Sequence, residues 1–373
     1  MILNRQKLTN ILGILGNSVG NKILKVADYV FFRVDRENRK LFLSTTDFNC
    51  FITINYGDLG ISPVDDLPEM FLVQYGMLNS IVKSSTTEEV MIKEEKINGP
   101  IVISTNGRYE LPRYNEIDEF PDVDYSNKEI GSASVPVVLS AWNKAVISIS
   151  EDVTRINYQG VNFDGRFAAT DNRKLSIVES SIPYSGDPLL MMPNFGKILK
   201  CCKDTVKIGV SNSGKHMIVS CDQIGMISSI RLIDAKFINY LPLLEKKEDG
   251  VVLVLPKVQI LGVLSRLSIF TDQLFKVVCL KVIKRGGSIV ADFSVTNQGQ
   301  GSELITAKSF SLPMELIDIE DGQLAEEKYQ LDNLIDGISV TDDQEEVSLN
   351  IQSDGKMWIE EDDFNYLLVK VTE

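Results

Sequence analysis

Apolar residues recur at the i, i+3, i+4, i+7 spacing of an amphipathic helix in six segments of the chain. The spacing is complete in five segments, and Asn79 interrupts it in the segment that begins at Tyr75. The six segments begin at Leu8, Tyr75, Trp142, Phe195, Ile260 and Leu331, at intervals of 67, 67, 53, 65 and 71 residues. Such intervals are typical of an internal repeat, so we predict six equivalent helices.

The stretches between these helices have the composition of short β-strands. Val30–Val34 and Leu41–Thr45 are rich in β-branched and aromatic residues, and turn signals such as Asn106-Gly107 and Asp164-Gly165 separate runs of this kind. We predict a unit of one helix and about four strands, present six times. One such unit buries too little apolar surface to be stable alone, so we expect the units to pair into three domains.

A second marker also divides the chain into three. Thr46-Asp47, Thr170-Asp171 and Thr296-Asn297 each end a β-type run, and they are 124 and 126 residues apart, close to one third of the 373 residues. Polar stretches lie between these thirds. We therefore predict an α+β fold of three tandem domains, at residues 1–124, 125–247 and 248–373.

Composition excludes several classes of site. The single histidine, His216, excludes a metal site with two histidine ligands, and no two cysteines have the C-x-x-C spacing. We expect Cys50, Cys201, Cys202, Cys221 and Cys279 to be free thiols. No apolar run is long enough to span a bilayer, and the first residues lack the order of a signal peptide, so a cytoplasmic location is expected.

Two motifs resemble functional sites, but their sequences predict a hairpin turn and a solvated loop. Gly209–His216 nearly matches a phosphate-binding P-loop, but Ser or Thr is absent after Lys215 and a strand-like run follows, so we predict a hairpin turn. The acids Glu360–Asp363 are consecutive, which is typical of a solvated loop and not of a metal site. We expect no catalytic residue, metal or cofactor.

The predicted helices are depleted of acidic residues. The windows 4–17, 71–84, 139–150, 194–203 and 256–268 contain nine basic residues and no Asp or Glu, although the chain has a net charge of −14. Glu is a good helix former, so helix propensity does not explain its absence. A shared polyanionic ligand does, and nucleic acid held through its phosphates is the obvious candidate. The sixth helix departs, because it contains Asp332 and Asp336.

Several sequence blocks resemble the bacterial DNA polymerase III β subunits, the family of DNA sliding clamps. Gly160–Phe163 precedes Ala169–Leu175, where the family pattern is Ala-Thr-Asp-Gly-His-Arg-Leu, and Lys236–Tyr240 matches the family's Arg-Phe-Pro-Asp-Tyr. Tyr109 and Glu119–Asp122 form the first-domain counterpart. The resemblance covers the whole chain and implies a head-to-tail homodimer, with helices lining a central hole around duplex DNA and antiparallel sheets outside. It also implies a processivity factor that tethers a DNA polymerase and is not an enzyme.

The resemblance also implies a cleft between the second and third domains that binds a short linear motif of polymerase and clamp-loader subunits. Matched residue by residue, the cleft consists of Tyr158, Thr170, Asn172, Arg173, Lys174, Leu175, Ile238, Pro242, Leu243, Phe275, Gln330, Asn333, Leu367, Leu368, Val369 and Val371. Asn172, Arg173 and Ile238 depart from the family pattern, as does the C-terminal tail, which is expected of a divergent or phage-encoded member. Each apolar member is equally consistent with ordinary core.

Two further sets of residues complete the expectation. The residues that we expect to face DNA are Lys144, Lys197, Lys200, Lys203 and Arg266. The family's subunit interface joins the first domain to the third domain of the partner, and here Tyr109 and Leu111 would meet Ile269 and Phe270. The alternatives are a nucleic-acid-binding repeat protein that forms no ring and, with less support from the residues, an enzyme of nucleic-acid metabolism.

Overall fold

The computed structural model describes residues 1–20, 24–59, 67–95, 99–245, 249–272 and 276–372. The α-helices within these ranges, numbered in chain order, are α1 (Arg5–Leu15), α2 (Tyr75–Ser84), α3 (Val135–Val146), α4 (Asn194–Leu199), α5 (Lys257–Leu267), α6 (Met314–Ile317) and α7 (Leu331–Ser339). The six helices predicted from the apolar spacing are confirmed as α1–α5 and α7, and the four-residue α6 is additional. α4 is shorter than predicted, because the chain tightens into three-residue turns at Cys201 and Cys202.

The strands of the described ranges form four antiparallel sheets. The first has the order β1-β6-β7-β8 and comprises β1 (Ile2–Asn4), β6 (Glu89–Glu94), β7 (Ile101–Ser104) and β8 (Arg108–Leu111). The second has the order β5-β2-β3-β4-β16-β15-β14-β9 and comprises β2 (Tyr29–Asp35), β3 (Lys40–Thr46), β4 (Cys50–Asp58), β5 (Met70–Gln74), β9 (Asn127–Ser134), β14 (Thr205–Ser211), β15 (His216–Cys221) and β16 (Met226–Arg231).

The other two sheets come mainly from the later part of the chain. The third has the order β13-β10-β11-β12-β25-β24-β23-β17-β21 and comprises β10 (Val161–Phe163), β11 (Arg166–Thr170), β12 (Lys174–Glu179), β13 (Leu189–Met191), β17 (Val251–Pro256), β21 (Ser309–Ser311), β23 (Glu346–Ile351), β24 (Met357–Glu361) and β25 (Phe364–Leu368). The fourth has the order β20-β19-β18-β22 and comprises β18 (Val277–Arg285), β19 (Ser288–Thr296), β20 (Gln300–Thr306) and β22 (Gly322–Gln330).

The chain divides into two compact units. The first consists of Met1–Leu139, Ser181–Tyr184 and Met191–Asp234, and it holds the first and second sheets. The second consists of Ser140–Ser180, Ser185–Leu190 and Ala235–Glu373, and it holds the fourth sheet and, apart from Met191, the third. The strands of the middle third of the chain are thus shared between two continuous sheets. The division into three domains stays a prediction, and its boundary at 247/248 falls outside the described residues.

The helices bury the residues that the sequence spacing selects. In α1 the Asn4 side chain accepts a hydrogen bond from the Lys7 N–H and caps the helix, while Leu8, Leu12 and Leu15 are buried. The segment that resembles a P-loop is a hairpin, as predicted. β14 and β15 pair antiparallel through it, and Gly214 has the left-handed φ of +71° that the turn requires.

Two glycines in helices test the packing of this fold. A Cβ added at Gly337 in α7 would overlap the buried ring of Tyr366, whereas a Cβ added at Gly13 in α1 would meet no atom within 4 Å. Alanine favours the helix over glycine by about 0.8–1.0 kcal/mol. We expect Gly13→Ala to raise the free energy of unfolding by about 0.5–1 kcal/mol and Gly337→Ala to lower it by about 1–3 kcal/mol, measured by urea unfolding. An increase in stability for both variants would contradict the packing of α7 against β25.

Candidate nucleic-acid and partner interfaces

The exposed faces of five helices carry no carboxylate. The exposed positions of α1 to α5 are occupied by amide, hydroxyl, small, apolar and basic side chains, whereas α7 exposes Asp332. Lys197 and Lys200 are exposed at the end of α4, and Lys203 is exposed in the turn that follows it. The depletion seen in the sequence is therefore a property of the solvent-facing surface of these helices.

The structure places Lys144 inside the protein. Its side chain is 3% exposed, and its Nζ lies 2.7 Å from Asp342, 3.1 Å from Asp363 and 3.3 Å from Glu361. Burial alone lowers the pKa of Lys144, but the hydrogen bonds to Asp342 and Asp363 outweigh it, so the net pKa is raised and the ammonium stays charged. We therefore correct the expectation for Lys144 and remove it from the residues that could contact a phosphate.

This cluster around Lys144 includes two residues of the acidic run Glu360–Asp363, namely Glu361 and Asp363. Oxygen atoms of Asp342, Glu361 and Asp363 lie within 4.8 Å of one another, the arrangement that a bound cation needs. The Lys144 ammonium donates a hydrogen bond to each of the three carboxylates and supplies that positive charge. The cluster is therefore an internal ion-pair network that fixes the end of α3 to the β24–β25 hairpin.

The two basic residues of α5 differ in their availability. Lys257 is buried and donates hydrogen bonds to the carbonyls of Thr341 and Asp343, so it too is a structural cation. Arg266 is exposed, but its guanidinium forms a two-point hydrogen bond with the Glu303 carboxylate at 2.6 and 2.7 Å. Of the five residues expected to face DNA, Lys197, Lys200 and Lys203 are thus the ones that are exposed and form no ion pair within the described ranges.

One tight turn organises the predicted partner cleft, which lies entirely within the second unit. Asp171 Oδ1 accepts hydrogen bonds from the N–H groups of Arg173 and Lys174, at 2.7 and 2.9 Å, and Thr170 Oγ1 accepts one from the N–H of Asn172. Asn172 has a φ of +77°, in the left-handed region that glycine favours and asparagine tolerates. Asparagine can therefore replace the glycine of the family pattern and keep the same backbone.

The structure brings the end of β25 and helix α7 to this turn. Leu175 pairs with Leu367 across the β12–β25 ladder, and the Val369 N–H donates to the Arg173 carbonyl at 2.9 Å. Lys174 Nζ lies 3.2 Å from Asp336 of α7. Gln330 and Asn333 lie at the start of α7, where the Tyr366 hydroxyl donates to the Asn333 carbonyl, and Val371 pairs with β22 through Lys328.

A separate segment of the second unit carries Ile238, Pro242 and Leu243 of the predicted cleft. Ile238 is half-buried, and Pro242 lies in the 310 turn Leu241–Leu244. This segment is held by the Tyr240 hydroxyl, which donates to Asp164 at 2.9 Å, and burial together with this hydrogen bond raises the Tyr240 pKa. Tyr158 lies in another 310 turn, and Phe275 lies outside the described residues.

Exposure separates the predicted cleft residues into two groups. Leu175, Leu367 and Leu368 are at most 2% exposed, so they form the core beneath the surface. Leu243 is 36% exposed, Val369 is 42% exposed and Pro242 is also exposed, so these three are apolar side chains that a partner could contact directly. Sequence comparison alone could not make this distinction, because both groups are aliphatic.

The residues predicted for the subunit interface lie on an edge strand, for Tyr109 and Leu111, and in the 3₁₀ turn after α5, for Ile269 and Phe270. Tyr109 and Leu111 are on the edge strand β8, and an open groove there is also lined by Met77 and Ile81 of α2. Ile269 is 74% exposed just after α5, close in sequence to the exposed Phe270. The nearby edge strand β20 adds Leu304, 57% exposed, and Met77, Ile81 and Leu304 were missed because single apolar residues on polar faces give no periodic signal.

Replacement of Lys144 tests its structural role. Lys144→Met would leave three carboxylates clustered around an apolar chain, so we expect a loss of about 1–3 kcal/mol in the free energy of unfolding. This lies below the cost for a fully buried pair because Asp342 and Asp363 are more than half exposed. Lys197→Met, on an exposed face, should change the stability by less than about 0.5 kcal/mol. Equal effects in denaturant unfolding would argue against the buried network.

This fold was compared with known protein families, sequences and structures. No family model and no curated protein sequence matches the chain. Solved structures do match over its full length. The DNA polymerase III β subunits of Thermotoga maritima (15% identity, TM-score 0.82) and Pseudomonas aeruginosa (17% identity, TM-score 0.84) are each covered to 99%. The DNA polymerase sliding clamp of Bacillus subtilis is covered to 98%, at 15% identity and a TM-score of 0.84.

These identities are low, so the likeness concerns the backbone. It extends over 100% of this chain and 98–99% of each matched chain. No helix in the described part of the chain combines the length and apolarity needed to cross a membrane. The chain therefore has the mixed α+β fold of the bacterial DNA polymerase III β subunits.

Proposed function

We propose that this protein is a DNA sliding clamp: a homodimeric ring that encircles duplex DNA without reading its sequence and tethers the replicative DNA polymerase as a processivity factor. The observation that carries the proposal is the full-length likeness to sliding-clamp structures, joined to the acid-free exposed faces of α1 to α5. In this proposal each of the three domains supplies two helices to the wall of the hole: α1 and α2, α3 and α4, and α5 and α7.

The charges on the helices suit a protein that must slide. Lys197, Lys200 and Lys203 carry ammonium groups on flexible stems, and such groups meet phosphates as point charges and often through water. Contacts of this kind follow the DNA backbone and not the base edges, so they hold the duplex without fixing a register. The acidic residues elsewhere would keep DNA away from the remaining surface.

The order of strands supports ring closure. In the second sheet, the four-strand halves β5-β2-β3-β4 and β9-β14-β15-β16 join through the antiparallel pair β4–β16. The fourth sheet, β22-β18-β19-β20, repeats the first half, and the first sheet, β1-β6-β7-β8, repeats the second half. By this correspondence β20 of one subunit pairs with β8 of its partner, and an eight-stranded sheet results. A protein that forms no ring would leave both edges unpaired.

The side chains at these edges suit such a contact. Tyr109 and Met77 are exposed on the β8 side, and Ile269 and Leu304 are exposed on the β20 side. A head-to-tail arrangement brings each apolar group against the other, and closure of the ring satisfies both edges at once. The apolar residues would form the centre of the interface, with Arg108 and Glu303 in its rim.

The partner site of the proposed clamp is the cleft in the second unit. Leu243 and Val369 would contact the apolar anchors of a short linear motif in polymerase and loader subunits, while Leu175 and Leu367 support them from below. Because Gly209–His216 forms a hairpin and not a nucleotide-binding loop, we assign the energy for ring opening to a separate ATP-driven loader.

Retention on DNA tests the ring directly. Protein loaded onto nicked circular duplex DNA should stay bound through gel filtration and should be released once a restriction enzyme makes the DNA linear, because the link is topological. The double variant Ile269→Lys with Leu304→Lys, designed to break the subunit interface, should stay on neither form. Equal retention of the native protein on circular and linear DNA would refute the proposal.

Substitution at the exposed rim of the cleft tests the partner site. We expect Leu243→Ser with Val369→Ser to weaken binding of the cognate replicative polymerase by about tenfold or more, because it removes two apolar contacts. Both side chains are exposed, so the variant should keep its stability and its dimeric state. The matched control is Val153→Ser, at a position 82% exposed and outside the cleft. Unchanged polymerase binding by the double variant would place the partner site elsewhere.

A further inference from the structure

The first unit contains an apolar groove that the proposed function does not use. The groove has a volume of about 520 Å³, and its apolar lining includes Phe31 of β2, Phe51 of β4, Met70 of β5, and Phe120 and Tyr125 from the segment that follows the first sheet. Met70 is 45% exposed, and the Phe31 and Phe120 rings, stacked at 4.8 Å, are half-buried. The groove is therefore open to solvent and presents aromatic surface.

Thr45 and Phe51 of the groove lining flank a turn that repeats the one in the predicted partner cleft. Asp47 Oδ1 accepts hydrogen bonds from the N–H groups of Asn49 and Cys50, as Asp171 does in the second unit from the residues two and three positions later. Thr46 Oγ1 accepts from the Phe48 N–H, and Phe48 has a left-handed φ of +69°. Phe51 follows this turn and pairs with β16, just as Leu175 follows its turn and pairs with β25.

Another part of the groove lining also has its counterpart. The family resemblance matches Glu119–Asp122 to the segment Lys236–Tyr240, which carries Ile238 of the predicted cleft. Phe120 and Pro121 of this segment line the groove. The groove of the first unit thus shares two features with the predicted partner cleft: a residue that follows a turn of this kind, Phe51, and part of the matched segment, Phe120 and Pro121.

The rim of this groove is acidic, and this charge distinguishes the groove from the predicted cleft in the second unit. The chain carries Glu116, Asp118, Glu119, Asp122 and Asp124 within nine residues, with no Lys or Arg among them. Asp118 and Asp122 line the groove and are exposed, and Arg33 is the one cation among the described residues of its lining. Hydrogen bonds from Ser126 hold the pKa of the nearby Asp124 below its usual range, so this carboxylate is ionised at neutral pH.

We propose that this groove is a second docking site, which binds a short peptide segment of a partner protein with a large apolar anchor flanked by Lys or Arg. The aromatic lining supplies the surface for the anchor, and the carboxylates at the rim attract and orient the basic flanks. The same carboxylates repel phosphate-bearing ligands, which distinguishes the groove from the lysine-bearing helix faces. The site extends the proposed function, and it does not require the ring to close, because all of its residues lie in one unit.

Fluorescence anisotropy with a defined probe tests the groove. The probe is the fluorescein-labelled peptide Lys-Arg-Ser-Leu-Phe-Ser-Arg-Lys, and the full-length protein is titrated at physiological ionic strength. We expect saturable binding that weakens by about tenfold or more when the central Leu-Phe is changed to Ser-Ser. Met70→Arg, which places a cation in the lining, and Asp118→Lys with Asp122→Lys, which reverses the rim charge, should each weaken binding by a similar factor.

Matched variants separate this site from general charge attraction and from the cleft in the second unit. Asp318→Lys with Glu320→Lys makes the same charge reversal at exposed positions of the second unit, and binding should stay within about twofold of native. Leu243→Ser with Val369→Ser should likewise leave probe binding unchanged. Thermal unfolding confirms that each variant is folded.

The opposite results would overturn the proposal. Absence of saturable binding, an equal loss for the two charge-reversal variants, or full binding by Met70→Arg would each exclude the groove as the site. Loss of binding in the Leu243→Ser with Val369→Ser variant would assign the probe to the predicted cleft instead. Retention on circular DNA is measured separately, so failure of the groove and failure of the clamp proposal give different results.

Discussion

The pairing of strand edges is the constraint on which the rest of the structure depends. An edge strand exposes unpaired N–H and C=O groups, and these must be paired, covered or protected. The chain removes four of its strand edges by joining four-strand halves, through β4–β16 in the second sheet and β12–β25 in the third. The same pattern leaves β8 and β20 as matching open edges in the first and last thirds of the chain. The head-to-tail homodimer proposed above would pair both.

Charge has a second role that sheet pairing alone does not explain. The protein carries a net charge of −14, yet the exposed positions of α1 to α5 hold no carboxylate. The two features are complementary, because an acidic exterior and acid-free helices together favour one surface for a polyanion. The acidic rim of the groove in the first unit suits the opposite partner, a basic peptide. Surface charge thus distinguishes a surface suited to DNA from surfaces suited to proteins.

Local pattern predicted the helices well, because the apolar spacing of an amphipathic helix is a property of neighbouring residues. Local pattern could not predict that Lys144 is buried and ion-paired, because its carboxylate partners Asp342, Glu361 and Asp363 are about 200 residues away in the sequence. Burial within the cleft was also beyond the sequence, since Leu175 and Val369 are alike in chemistry and differ only in packing. Asn172 was recognisable as a departure from the family pattern, but only its left-handed φ explains why it is tolerated.

The mass of the protein in solution tests the central claim most directly. Sedimentation equilibrium should give twice the chain mass of 41.7 kDa at micromolar concentrations for the native protein, and the chain mass for the Ile269→Lys with Leu304→Lys variant. The variant changes two exposed side chains, so loss of the dimer with an unchanged melting temperature would locate the contact at these edges. A native protein that stays at 41.7 kDa throughout this range would contradict the closed ring, and with it the sliding-clamp function.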